Sequence, residues 1–280
     1  MQETTSDPNI SALGSIPYLA EELLSFLKDT PDKSRPTFIN RIWCSPQIQQ
    51  AMSGLDYQFQ DTGLMAQALS HSSFVHEFPE LKQESNERLE FLGDAILGAL
   101  VANLLMKKYP NLLEGKLSQL RSAVVNELAW AELAIQIQLG HALLLGRGEI
   151  KAEGMKKEAL LANVFEAMMG AIFLDGGFIC AQNSLQYVLN QYRRERGMDF
   201  LDLSRLDDFD CKSRLQEKVM ELYKTLPTYR AQQLYDGRYA VELYIQGALV
   251  ETFIDLSKKK AEREVARRAL ENLRGGDYAH

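Results

Sequence analysis

The chain is predicted to be multidomain: an all-α domain over residues 52–198, a linker at 199–208, and a small α+β domain of α-β-β-β-α order over 209–275. Three observations lead there. Through 52–198 apolar residues recur at helical spacing and no alternating β-branched stretch interrupts them. Beyond the linker, Tyr229–Leu234, Tyr239–Gln246 and Ala248–Leu256 alternate apolar and polar residues, as half-buried strands do, between two helical patterns. Charge also changes at this boundary: 52–198 carries 13 Lys+Arg against 17 Asp+Glu, whereas 209–274 carries 13 against 10.

Residues 1–51 read as a partly helical extension. Five of the eight prolines lie in it (Pro8, Pro17, Pro31, Pro36, Pro46) and break it into short pieces. Tyr18 to Lys28 places Leu19, Leu23, Phe26 and Leu27 on one side, which suits docking on the main domain, as do Phe38 and Trp43. Helices are expected near 62–69, 86–108, 114–122, 127–138, 157–174 and 178–195. Pro110 stops the second of these, and Gly140, Gly146, Gly148 and Gly154 mark a loop region before the fifth. The 199–208 linker is acidic and shows no helical periodicity; containing no Gly or Pro, it is expected to be partly ordered. The second domain opens with a helix over Lys212 to Tyr223 and closes with one capped by Ser257 and running to about Leu273. Residues 276–280 form a tail.

Composition bounds the class. Hydrophobic content of 46% and charged content of 25% are ordinary for a globular protein. No run approaches 18 consecutive apolar residues, so no membrane span is expected. The N-terminus has neither the basic start nor the apolar run of a secretory signal. Cys44, Cys180 and Cys211 fit neither a disulfide framework nor a zinc site, which points to a reducing cytoplasm. A net charge of −7 argues at first against a nucleic-acid partner, but the basic second domain leaves room for phosphates.

The chemistry centres on Ser85 to Gly98, SNERLEFLGDAILG. On a helix Glu87, Glu90 and Asp94 fall within an arc of about 60°, opposite Leu89, Leu92 and Ile96. No Lys or Arg stands on that stripe to offset the repulsion. A solvated acidic face has this composition; so does a site for a hard cation, since Mg²⁺ takes oxygen ligands, several of them waters. Gly93, unfavourable inside a helix, suggests close packing at that point and acids lining a cleft. A second helix places Asn163 and Glu166 at i, i+3 on one face. His71 reads as a structural histidine.

The run Asn86 to Asp94, NERLEFLGD, resembles the signature of the ribonuclease III family, endonucleases that cut double-stranded RNA. Further blocks are similar and in the family's order: Tyr57 to Ser73, Glu114 to Arg121, Leu139 to Gly148, and Glu158 to Gly177. The resemblance implies a homodimeric endoribonuclease using Mg²⁺, with Mn²⁺ as a possible substitute. Its products would carry two-nucleotide 3′ overhangs, and structured precursors such as ribosomal RNA would be substrates. By resemblance Glu90, Asp94, Asn163 and Glu166 hold the metal, Asp94, Glu166, Glu87 and Glu114 serve catalysis, and Phe91 lies at the dimer interface. Asn163 stands where the family has Asp; a carboxamide brings an oxygen but no charge. Loop residues Arg147, Lys151, Lys156 and Lys157 are candidates for backbone phosphates.

The second domain resembles a double-stranded-RNA-binding domain. The resemblance puts Gln216 and Glu217 on 2′-hydroxyls of a minor groove and Lys258, Lys259 and Lys260 on phosphates. The first inter-strand loop is shorter than the family's, with Arg238 as its candidate phosphate contact. A rival of another class is a dsRNA-binding or ribosome-associated protein that keeps the fold without cleavage, favoured by Asn163 and the short loop. A hydrolase of small phosphorylated substrates is disfavoured by the appended basic domain.

Overall fold

The computed structural model describes residues 18–29, 34–209 and 211–275. Expectations for Pro8, Pro17, Pro31 and the 276–280 tail lie outside them. The described residues fall into two compact units, one within 1–117 and 124–200, the other within 118–123 and 201–280. The expected fold class is what is found: a helical unit, and a small α+β unit with a three-stranded sheet.

The first unit opens with α1 (Leu19–Asp29), α2 (Arg35–Trp43) and α3 (Pro46–Leu55). Leu19, Leu23 and Leu27 are buried, as the amphipathic pattern demands, and Phe38 is buried on α2 beside Phe74. Pro36 and Pro46 sit in the first turns of α2 and α3, where a missing N–H costs nothing. The Ser45 side chain accepts from the Ile48 N–H to start α3. This helix runs across the expected boundary at 51/52, and the described part of the extension belongs to the same unit.

There follow α4 (Thr62–Leu69), α5 (Ser72–Glu77), α6 (Glu87–Lys108), α7 (Glu114–Val124), α8 (Glu127–Gln136), α9 (Arg147–Lys151) and α10 (Glu158–Arg196). α6, α8 and α4 pack on α10. The two helices expected at 157–174 and 178–195 are the two halves of α10, joined through Gly177 at φ 79°, a conformation that favours glycine. Trp130 and Phe165 stack at 5.7 Å between ring centroids, and Phe200 lies 6.4 Å beyond Trp130.

Both α6 and α10 are long and apolar enough to cross a membrane by length and composition. The count of consecutive apolar residues missed this, because single polar residues break a run without lowering its mean hydropathy much. Their apolar faces meet each other and the surrounding helices, which is how a core helix passes the same test.

The expected linker carries order, in keeping with its lack of Gly and Pro. Phe200 is buried, Asp199 pairs with Lys108 at 2.9 Å, and Ser204–Phe209 forms α11. α12 (Cys211–Tyr223), β1 (Thr228–Gln233), β2 (Tyr239–Ile245), β3 (Ala248–Asp255) and α13 (Lys258–Gly275) complete the second unit. The sheet is antiparallel in the order β1-β2-β3. Leu215 and Val219 of α12, Val241 and Leu243 of β2, and Ala261, Val265 and Ala269 of α13 form its core.

Candidate active site

α6 and α10 cross at glycines. A β-carbon added at Gly93 would stand 1.8 Å from the Glu166 carbonyl oxygen, and one at Gly170 would stand 2.3 Å from that of Leu89. Only hydrogen at both positions lets the backbones come this close. The crossing brings the α6 acids beside Glu166.

It also decides which face of α6 is buried. Leu89, Gly93, Leu97, Leu100, Val101 and Leu104 are packed, whereas Leu92 and Ile96 are only half-buried. The acidic stripe was expected opposite the packed face; it runs along that face's edge. Glu90, next to the packed side, is therefore half-buried, while Glu87 and Asp94 are exposed.

The electrostatics follow from this placement. Burial pushes the Glu166 carboxyl up to about 7, with Asp94, Glu90 and Glu127 adding like charge. Burial also raises Glu90, followed by the charges of Glu87 and Asp94. No cation is among the groups acting on either carboxyl. Glu87 accepts a hydrogen bond from the Ser85 hydroxyl at 3.1 Å. Asn163, half-buried, lies one turn before Glu166.

Glu127 is the member that sequence reasoning missed. It follows Asn126, whose side chain caps α8 by accepting from the Ala129 N–H, and an acid in a first turn ordinarily reads as a complement to the helix dipole. Glu114 opens α7, exposed, and is not among the charges acting on Glu90 or Glu166.

Among the described residues, no three His, Cys, Asp or Glu side chains are close enough together to hold an ion by themselves. The donor set nonetheless fits a hard cation: carboxylate and carboxamide oxygens, with repulsion that nothing nearby offsets. Mg²⁺ keeps several waters and binds through one or two carboxylates plus substrate phosphates, so it needs no closed cage.

His71 caps α5: its Nδ1 accepts from the Ser73 N–H at 3.2 Å, and burial lowers its pKa. Three of the four loop cations are already engaged, while Lys151 is exposed. Arg147 pairs with Glu77 at 2.6 Å, Lys157 with Glu149 at 2.7 Å, and Lys156 with Glu153.

In the second unit Gln216 and Glu217 are exposed on α12, and Lys258 and Lys259 are exposed in the first turn of α13. The Ser257 hydroxyl accepts from the Lys260 N–H at 3.4 Å, the expected cap. Lys258 stands 3.9 Å from Glu262, which also pairs with Lys212. Arg238 forms an ion pair with Asp236 at 2.7 Å, so its charge is not open to a phosphate without breaking that pair.

The Ribonuclease-III-like family model matches residues 61–192. "Ribonuclease 3" of Syntrophobacter fumaroxidans is 37% identical over 239 residues, spanning 84% of this chain and 98% of the relative. "Ribonuclease 3" of Borreliella afzelii is 38% identical over 234 residues, with 81% and 93% covered. A solved nuclease domain of ribonuclease III from Campylobacter jejuni is 38% identical, covering 52% of this chain and 98% of that one at a TM-score of 0.47. Similarity of this extent, through the acidic crossing and over nearly the whole length of its relatives, shows that the chain belongs to the ribonuclease III family, a family of endoribonucleases.

Proposed function

We propose that this endoribonuclease cleaves double-stranded RNA with Mg²⁺ as a homodimer, leaving 5′-phosphates and two-nucleotide 3′ overhangs. The observation that carries the reading is the cluster of carboxylates at the α6–α10 crossing, repelling one another with no protein cation to offset them. Glu90, Asp94, Glu166 and the neutral Asn163 would hold the ion, with Mn²⁺ a possible substitute. When bound, Mg²⁺ activates water at neutral pH and stabilises charge on the phosphate in the transition state. Glu166 must be ionised to serve as a ligand, so the proton it holds up to about 7 in the metal-free site competes with the ion. Glu87, beside Glu90, stands at the edge of the group, and Glu114 would assist catalysis from outside it.

Phe91 is 83% exposed on α6 with Ala95 exposed one turn on, and Leu174 and Ile179 are exposed on α10. Exposed apolar side chains of this size suit a partner surface, here a second copy of the chain. Two sites, one per strand, then give staggered cuts. Gln216, Glu217 and Lys258 to Lys260 would bind the duplex, with Arg238 contributing only once released from Asp236. Structured precursors such as ribosomal RNA are the proposed substrates. Among the described residues Cys44, Cys180 and Cys211 form no disulfide, which suits a reducing cytoplasm.

A long perfect RNA duplex, assayed with Mg²⁺ and with EDTA and with product ends mapped, tests the reading. Glu166→Gln is expected to lower cleavage at least a thousandfold while leaving duplex binding within a few fold. Binding without metal-dependent cutting by the unmodified chain would instead support the non-catalytic rival that Asn163 favours.

A further inference from the structure

The two halves of α10 meet at Gly177, whose φ of 79° and ψ of −178° belong to a region nearly confined to glycine. A glycine at a bend has no side chain to hold its angle, so other contacts must fix how the second half leaves the first. The end of α3 and its connection to α4 supply them. On the first half, one carboxylate takes three donors: Asp175 accepts from the Tyr57 hydroxyl at 2.7 Å and from the Gln60 and Asp61 N–H groups at 2.8 Å each. On the second half, the buried Ser184 hydroxyl donates to the Leu55 carbonyl at 2.6 Å, and Gln191 donates to that of Gly54 at 3.4 Å. Residues 54–61 therefore form a strap tied to α10 on both sides of its bend. Gly176 leaves room for it, since a β-carbon there would stand 2.5 Å from the Tyr57 hydroxyl oxygen.

The bend lies where α10 exposes apolar side chains. Leu174 immediately precedes Asp175, and Phe178 and Ile179 immediately follow Gly177; all three are exposed. They stand on opposite sides of the bend, so the angle between the halves decides how they face a partner. Asp175 holds the strap on the first half through a charged acceptor, the stronger kind of hydrogen bond. We propose that Asp175 is a positioning residue for the association of two copies of this chain. By tying residues 57–61 to the first half of α10 it sets the angle at Gly177, and so presents Leu174, Phe178 and Ile179 together to the second copy. This rests on the homodimer reading above.

Sedimentation equilibrium of the full-length chain over a range of concentrations gives the dimer dissociation constant. Asp175→Ala removes all three bonds and is expected to weaken the dimer roughly tenfold or more. Tyr57→Phe removes one bond, keeps the ring against Phe59, and is expected to weaken it roughly threefold. It carries the test where the Ala variant does not fold. Both variants are expected to lower the melting temperature as well. Leu23→Ala, which opens a cavity on the buried face of α1, supplies a protein of lowered stability with the strap intact. Its dimer should hold as tightly as that of the unmodified chain. Weakening in the strap variants but not in Leu23→Ala supports the proposal; equal weakening in all of them would reduce it to lost stability and overturn it. A dimer unchanged in each strap variant that folds, while Phe91→Glu separates it, would overturn the role of Asp175 and leave the homodimer standing. A monomeric unmodified chain would overturn both.

Discussion

Glu166 shows how much one residue's chemistry depends on neighbours distant in sequence. As a glutamate on a helix it would titrate near its ordinary value; burial and the charges of Asp94, Glu90 and Glu127 bring it up to about 7. A carboxyl whose folded pKa exceeds its unfolded one contributes stability that is fully present below about 4.5 and is lost as pH rises through about 7. The metal-free protein should therefore lose stability between pH 5 and 8, by up to about 2 kcal/mol from this group after allowing for its partial exposure. Thermal melts across that range check it: the slope should flatten in Glu166→Gln, and millimolar Mg²⁺ should restore stability at pH 8. A melting temperature independent of pH would show that the carboxyl is not held in this environment.

At the scale of elements, the crossing of α6 and α10 positions the acids. Gly93→Ala improves helix propensity by about 1 kcal/mol, yet its methyl would meet the Glu166 carbonyl oxygen, so the helices must move apart. The expected net result is destabilisation of about 1–3 kcal/mol and at least a tenfold loss of cleavage, read from melting temperature and duplex assays. Activity retained in a folded Gly93→Ala protein would mean that the crossing does not set the site. In the second unit α13 presents Lys259 in its first turn, where side-chain charge and helix dipole act together. Lys259→Ala should weaken duplex binding regardless of sequence and reduce the slope of log affinity against log salt by about 1. An unchanged slope would place the phosphate contact elsewhere. The strand positions and the Ser257 cap of this unit follow the local alternation and capping signals closely, because both are short-range effects, but only in β2 does the alternation reach buried residues, and β1 is almost wholly exposed.

For the whole molecule the proposed dimer rests on the exposed surface around Phe91. Phe91→Glu should convert a dimer to a monomer in sedimentation and uncouple the two strand cuts, without lowering the melting temperature of the subunit, since the side chain packs on nothing within it. A monomeric unmodified chain would remove this basis for paired cuts. Sequence alone determined the class of both domains, the positions of the central helices and strands, and the grouping of Glu87, Glu90 and Asp94, because helical and strand periodicities depend only on spacing along the chain. It also placed Asn163 and Glu166 on one face and marked Gly93 as a point of close approach. Tertiary structure decided what spacing cannot express. Gly93 and Gly170 chose the buried side of α6, and burial of Phe200 with the short helix α11 decided where the linker is ordered. Glu127 joined the electrostatics of the site from another helix. Each of these rests on contacts between segments far apart in the chain, where packing and desolvation, rather than local periodicity, fix the energy.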